Sequence, residues 1–164
     1  MTRLYAALNK VNEALRKVEI YTGAVFVGFI FLMTSTNIIL RYFFNSPVAW
    51  AEEVILIAFT FLGFLTGAYA LSKDELVRFT SLLDKIPQKA RAVVLTVHDI
   101  MIIAVLIILL PSAMRNFRFL TITPALGIPK GFVYFITPLT YALMSFHLIV
   151  NIFTRFVVKE EGEA

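Results

Sequence analysis

Apolar residues crowd four stretches of the chain and thin out between them. Ile20–Leu40 runs 21 residues without a charge, Val54–Ser72 runs 19, Ala92–Met114 runs 23 with Asp99 as its one charge, and Gly131–Thr154 runs 24. A helix rises ~1.5 Å per residue and a bilayer's hydrocarbon core is ~30 Å thick, so each stretch is long enough to cross once. With their flanks these blocks predict spans near 20–43, 48–72, 88–114 and 130–155. Ahead of the first, Leu4, Leu8, Val11, Leu15 and Val18 recur at helical spacing on one face, while Arg3, Lys10, Glu13 and Lys17 fall largely off it. That pattern predicts an amphipathic interfacial helix over residues 1–18, anchored in membrane lipid by its leucines. A shorter repeat, Leu76, Phe79, Leu82, Leu83 and Ile86 before Pro87, predicts the same arrangement in the loop after the second span.

Composition agrees with the pattern. Of 164 residues, 59% are hydrophobic and 16% charged, against roughly 45–50% and about 25% in a water-soluble domain. The prediction is an all-α integral membrane protein forming one domain over 1–164, since no linker or low-complexity tract divides it. Four spans leave little chain for a nucleotide fold or a catalytic lobe. The absence of Cys excludes disulfides, thiolate metal sites and iron–sulfur clusters. Nineteen mixed-charge residues precede the first block, which is longer than a signal peptide's apolar core of about 7–15 residues, so it is read as a retained helix.

A net charge of +4 could point to nucleic acid, but the basic residues are sorted around the spans. The N-terminal segment, the loop after span two and the C-terminal segment together hold eleven Lys and Arg, against four on the alternate side, namely Arg41, Arg115, Arg118 and Lys130. Lys- and Arg-rich flanks remain cytoplasmic, so both termini are expected there and no nucleic-acid partner is implied.

Several groups carry candidate chemistry. Asn45-Ser46-Pro47 offers a capping hydroxyl and a helix-starting proline for span two, Trp50 suits the interface, and Glu52 and Glu53 fall where a helix N-terminus favours carboxylates. Arg41 closes span one on the same side, predicting a salt bridge or an edge for an external partner. Pro111 and Pro138 lie within spans three and four and predict kinks. Asp99 must meet protein, a partner or water, because an intramembrane charge is costly. His98 and His147 sit at similar depth in two spans, the placement that two axial ligands of a b-type haem in a redox membrane anchor require, or that two hydrogen-bonded imidazoles share. Gly63 and Gly67 make a GxxxG that lets another helix approach closely. Phosphate-binding glycine loops, hydrolase triads and zinc spacings are absent, so no enzyme activity and no cofactor are expected.

The run Asn37-Ile-Ile-Leu-Arg41-Tyr-Phe-Phe-Asn45-Ser46-Pro47-Val-Ala-Trp50-Ala-Glu52-Glu53, with Gly67-Ala-Tyr-Ala-Leu-Ser-Lys73-Asp-Glu75 closing the second span, resembles the small membrane subunit of TRAP transporters, the Q subunit of tripartite ATP-independent periplasmic systems. Pro124-Ala-Leu-Gly127-Ile-Pro129-Lys-Gly131, followed by Pro138, is similar to that family's lead into its fourth helix. The likeness covers nearly the whole chain. It departs after span two, where many members carry a His and an Asp and this chain reads Leu76-Val77-Arg78-Phe79-Thr80, leaving Arg78 as the matching polar residue.

The resemblance implies a bacterial or archaeal inner-membrane protein that pairs with a large M subunit. A periplasmic P protein would deliver an organic acid, a C4-dicarboxylate or a sialic acid, and M would move it inward on a sodium gradient, with sodium coupling on M. The Q subunit would scaffold M and help P dock. On that reading Arg41, Asn45, Trp50, Glu52 and Glu53 close spans one and two or dock P. Gly63, Gly67, His98 and Asp99 are the candidates for packing against M, and Leu4, Leu8, Val11 and Leu15 for the interfacial anchor.

Overall fold

The computed structural model describes the backbone of residues 2–46, 48–73, 87–118 and 121–162, and side chains within 7–46, 48–73, 87, 90–116, 118 and 121–155. Its helices are α1 (Thr2–Phe43), α2 (Ala49–Ser72), α3 (Gln88–Phe117), α4 (Lys130–Tyr134) and α5 (Ile136–Gly162). The described residues hold no strand, only an isolated antiparallel bridge between Ile122 and Pro129. Four segments, Ala7–Phe43, Ala49–Ser72, Ala90–Asn116 and Lys130–Arg155, are long and apolar enough to cross a membrane. The all-α membrane architecture is therefore as expected. The repeat from Leu76 to Ile86, with Arg78, lies outside the described residues.

The amphipathic segment is helical, but no boundary separates it from span one. Nothing between Val18 and Thr22 breaks a helix, and α1 continues through 42 residues. At ~1.5 Å per residue it is ~63 Å long, about twice the hydrocarbon thickness. Two of its polar side chains also turn inward: Asn12 and Glu19 are buried, Leu8 and Leu15 are half-buried, and Val11 and Val18 face out. Of the expected anchor, Val11 alone is fully outward, and the side chain of Leu4 lies outside the described ones.

Span two also begins differently. Asn45 takes a left-handed backbone, φ 49°, which a short polar residue tolerates, and Ser46 N–H returns to the Leu40 carbonyl at 3.1 Å. Helix α2 starts at Ala49 with Val48 extended at its N-cap and no side-chain cap, so Ser46 is not the cap. Asn37 Oδ1 accepts the Val48 N–H instead, at 3.2 Å. Pro47 is outside the described residues.

The fourth span breaks at Phe135. Pro138 has no N–H for the Tyr134 carbonyl and its ring crowds that oxygen, so α4 ends at Tyr134 and α5 begins at Ile136. Helix α3, in contrast, stays helical through Pro111.

Helix α5 touches all three other long helices, while α1 packs chiefly on α2. Gly23 permits the α1–α2 approach: a Cβ there would stand 3.4 Å from Thr66 Cγ2. Leu71, Leu106 and Leu148 form a small core, flanked by Ile102, Ile103, Tyr141 and Met144. Val25, Phe31 and Leu32 on α1 and Val97, Ile107 and Ile108 on α3 face outward, as lipid- or partner-facing helices do. The buried polar residues sit mostly at the end of the bundle that carries both termini.

Candidate functional site

Two polar assemblies organise the bundle, one at each end. At the end away from the termini, Glu53 on the first turns of α2 reaches the segment joining α3 to α4. Its Oε2 accepts the Leu126 N–H at 2.7 Å and the Ala125 N–H at 3.1 Å. That segment is itself a closed turn. Thr123 N–H donates to the Ile128 carbonyl at 2.8 Å, Thr123 Oγ1 accepts the Ile128 N–H at 3.0 Å, and Gly127 takes φ +67°, which favours glycine. The two stretches that carry the family resemblance are thereby joined by a charge-assisted pair of hydrogen bonds.

Glu52 points elsewhere. Its Oε1 lies 3.9 Å from Arg41 Nη1, both side chains mostly exposed, forming the expected salt bridge between α1 and α2. An exposed pair of this length contributes at most about 1 kcal/mol. Trp50 is half exposed beside it.

At the end that carries the termini, His147, Asn151 and Arg155 recur every four residues and so share one face of α5. Each ties in a different neighbour. His147 is wholly buried, Nε2 donating to Glu19 Oε1 at 3.0 Å while Nδ1 meets the Asn12 side-chain amide. Asn151 Nδ2 donates to the carbonyls of Ser72, at 3.1 Å, and Leu71, at 3.3 Å. Arg16 reaches the same place from α1: Nε donates to Ser72 Oγ at 3.1 Å and Nη2 to the Ser72 carbonyl and to Asn151 Oδ1. These are carbonyls of the last turn of α2, which have no partner within the helix, so α1 and α5 jointly cap α2. Arg155 Nη1 lies 2.7 Å from Asp99 Oδ2, an ion pair that holds α3 to α5.

Asn12, Arg16, Glu19, Ser72, Asn151 and Arg155 were not among the candidates. The four-residue repeat of His147, Asn151 and Arg155 along one face of α5 is the signal that points to Asn151 and Arg155. Among the residues expected to meet M, Asp99 is about 1% exposed and paired with Arg155 inside the chain. Gly67 also packs internally, a Cβ there standing 3.2 Å from Met144 Cε on α5. Gly63 faces open space, and His98 is partly exposed, its Nδ1 3.5 Å from Asp99 Oδ1. Both ring nitrogens of His147 meet side chains of α1, Asn12 and Glu19, so the ring is used inside the bundle.

Comparisons with known proteins fit this geometry. A family model described as tripartite ATP-independent periplasmic transporters, DctQ component, matches residues 30–158. A Haemophilus influenzae protein whose name is that of a TRAP transporter small permease is 27% identical over 155 residues, covering 93% of this chain and 94% of its own length. The Vibrio cholerae sialic acid TRAP transporter small permease protein SiaQ is 29% identical over 117 residues, 69% of this chain and 66% of SiaQ. The Haemophilus influenzae sialic acid TRAP transporter permease protein SiaT is 26% identical over 137 residues, 82% of this chain but 22% of SiaT.

Proposed function

The chain belongs to the DctQ-component family of the tripartite ATP-independent periplasmic transporters, and from that premise we propose that it is the rigid scaffold on which the large permease subunit of such a transporter moves. It is a multi-pass membrane protein and a small permease subunit of a TRAP system. The finer reading is a non-catalytic, cofactor-free subunit of the bacterial inner membrane, both termini cytoplasmic. It holds the stationary part of M at a set depth while M imports an organic acid on a sodium gradient.

The observation that carries this reading is the α5 stripe. His147, Asn151 and Arg155 bind α1, α2 and α3 through buried hydrogen bonds and an ion pair. Opening such contacts inside a low-dielectric bundle leaves charges unpaired, so the helices hold one arrangement. That suits a fixed support and not a moving carrier. The uninterrupted α1, with Lys10, Glu13 and Lys17 exposed, adds an extension beyond the span that resists tilting. The Lys and Arg asymmetry supports the orientation.

At the opposite end, the Glu53-held turn and the Arg41–Glu52 pair form a small ordered surface, which we assign to contact with the periplasmic P protein. The names of SiaQ and SiaT support a sialic acid or related organic acid as cargo of the whole system. The test is reconstitution. Affinity purification from native membranes in mild detergent should bring down a large permease. Sodium-driven uptake in proteoliposomes should require that permease, P and this chain together. Full uptake by M and P without this chain overturns the scaffold role, and purification of the chain alone overturns the pairing.

A further inference from the structure

A cleft of about 420 Å³ opens between α1 and α2 at the end that carries the termini, lined by Glu13, Arg16, Lys17, Ile20, Tyr69 and Lys73. The scaffold reading uses Arg16 as a cap and Glu13 and Lys17 as exposed residues of the α1 extension, and leaves the concavity between them unused. Its level in the membrane follows from the chain: the charge-free block of α1 begins at Ile20 and that of α2 ends at Ser72, so the cleft straddles the boundary between acyl chains and headgroups. Three cations against one carboxylate make its lining net positive.

Two of the cations are also placed. Arg16 is held by Nε and Nη2 on Ser72 and Asn151, which orders its guanidinium and, among the described residues, leaves the Nη1 donors unspent. Lys17 is exposed, and Lys73 stands with its Nζ 5.4 Å over the Tyr69 ring. Guanidinium and ammonium groups lining one concavity carry the donors that a phosphate's oxygens accept. From Ile20 the same face of α1 continues at helical spacing through Ala24, Val27 and Phe31, all exposed and apolar. A polar cleft therefore opens onto an apolar track that runs toward the bilayer centre.

We propose that this cleft holds the phosphate of an anionic glycerophospholipid whose acyl chains lie along Ile20, Val27 and Phe31. The charged pocket selects the headgroup and the track distinguishes a lipid from free phosphate. Juxtamembrane Lys and Arg attract anionic lipid generally, but here selection depends on two named lysines.

Native mass spectrometry of the full chain in mild detergent tests this with phosphatidylglycerol, phosphatidylethanolamine and phosphatidylcholine titrated separately. The expected result is at least fivefold stronger retention of phosphatidylglycerol than of either zwitterionic lipid. The Lys17→Gln/Lys73→Gln pair should abolish the preference, Lys17→Gln alone should reduce it about threefold, and Lys10→Gln, outside the cleft, should leave it intact. Inorganic phosphate in millimolar excess should not displace the lipid. Equal retention of all three lipids, preference for phosphatidylethanolamine, displacement by inorganic phosphate, or an unchanged preference in Lys17→Gln would each overturn the proposal.

Discussion

Glu52 and Glu53 are neighbours with the same charge and different tasks. The exposed Glu52 meets Arg41 across solvent, whereas Glu53 accepts two backbone N–H groups that have no other role in the turn it holds. Glu53→Ala is expected to cost about 1.5–3 kcal/mol, the range for hydrogen bonds to a charged group. It should raise amide exchange at Ala125 and Leu126 at least tenfold in hydrogen–deuterium exchange, while Glu52→Ala leaves both near wild type. His147 makes the complementary case in the interior. Removing its ring strands the buried Glu19 carboxylate, a loss of about 3–5 kcal/mol for breaking a buried polar pair from one side. His147→Leu should therefore lower the unfolding temperature in detergent, and Glu19→Leu combined with it should recover much of the loss. No recovery in the double variant would show that the ring acts through packing rather than through Glu19.

Each helix shows what apolar periodicity conveys and what it hides. The four spans were legible because a membrane demands ~20 apolar residues per crossing, a demand that tertiary packing does not relax. The end of the amphipathic segment was not: apolar spacing reports a face but not an axis, and with no Gly or Pro between Val18 and Thr22 the helix simply continues. Asn12 and Glu19 look like solvent-side residues by composition. Their partner lies 128 positions from Glu19 in sequence, a separation no local pattern reports. The Glu53 motif was legible as a place and not as a mechanism, since its acceptor role appears only once the 123–128 turn is folded against it. Pro138 was read correctly as an interruption, and its effect is testable. Pro138→Ala restores an N–H for the Tyr134 carbonyl, so α4 and α5 should fuse into one helix. The realigned α4 would pull the turn from Glu53, so Ala125 and Leu126 should exchange faster although neither they nor Glu53 has changed. Unchanged exchange there would separate the break from the clamp.

The bundle is polar inside one end and apolar around its outside, the reverse of what a water-soluble domain of this size shows. With the buried carboxylates Glu19 and Asp99 met by His147 and Arg155 of α5, the molecule has apolar outward faces to meet lipid or another apolar subunit. The GxxxG of α2 shows how the two uses divide. Gly67 is backed by Met144 within the chain, while Gly63, one turn away, has nothing within 4 Å of a Cβ. A large side chain at Gly67 must push into packed neighbours, costing about 1–3 kcal/mol. At Gly63 it projects into open space, and the isolated chain should stay within about 0.5 kcal/mol of wild type. Gly67→Leu is therefore expected to lower thermal stability of the purified chain, whereas Gly63→Leu leaves it unchanged and reduces the yield of co-purified large permease at least fivefold. Small residues at helix interfaces permit close backbone approach, so a Gly63→Leu protein that is stable and fails to bring down its partner places α2 against M. Full recovery of the partner would instead move the contact to α1 or α3, the remaining helices with long exposed apolar faces.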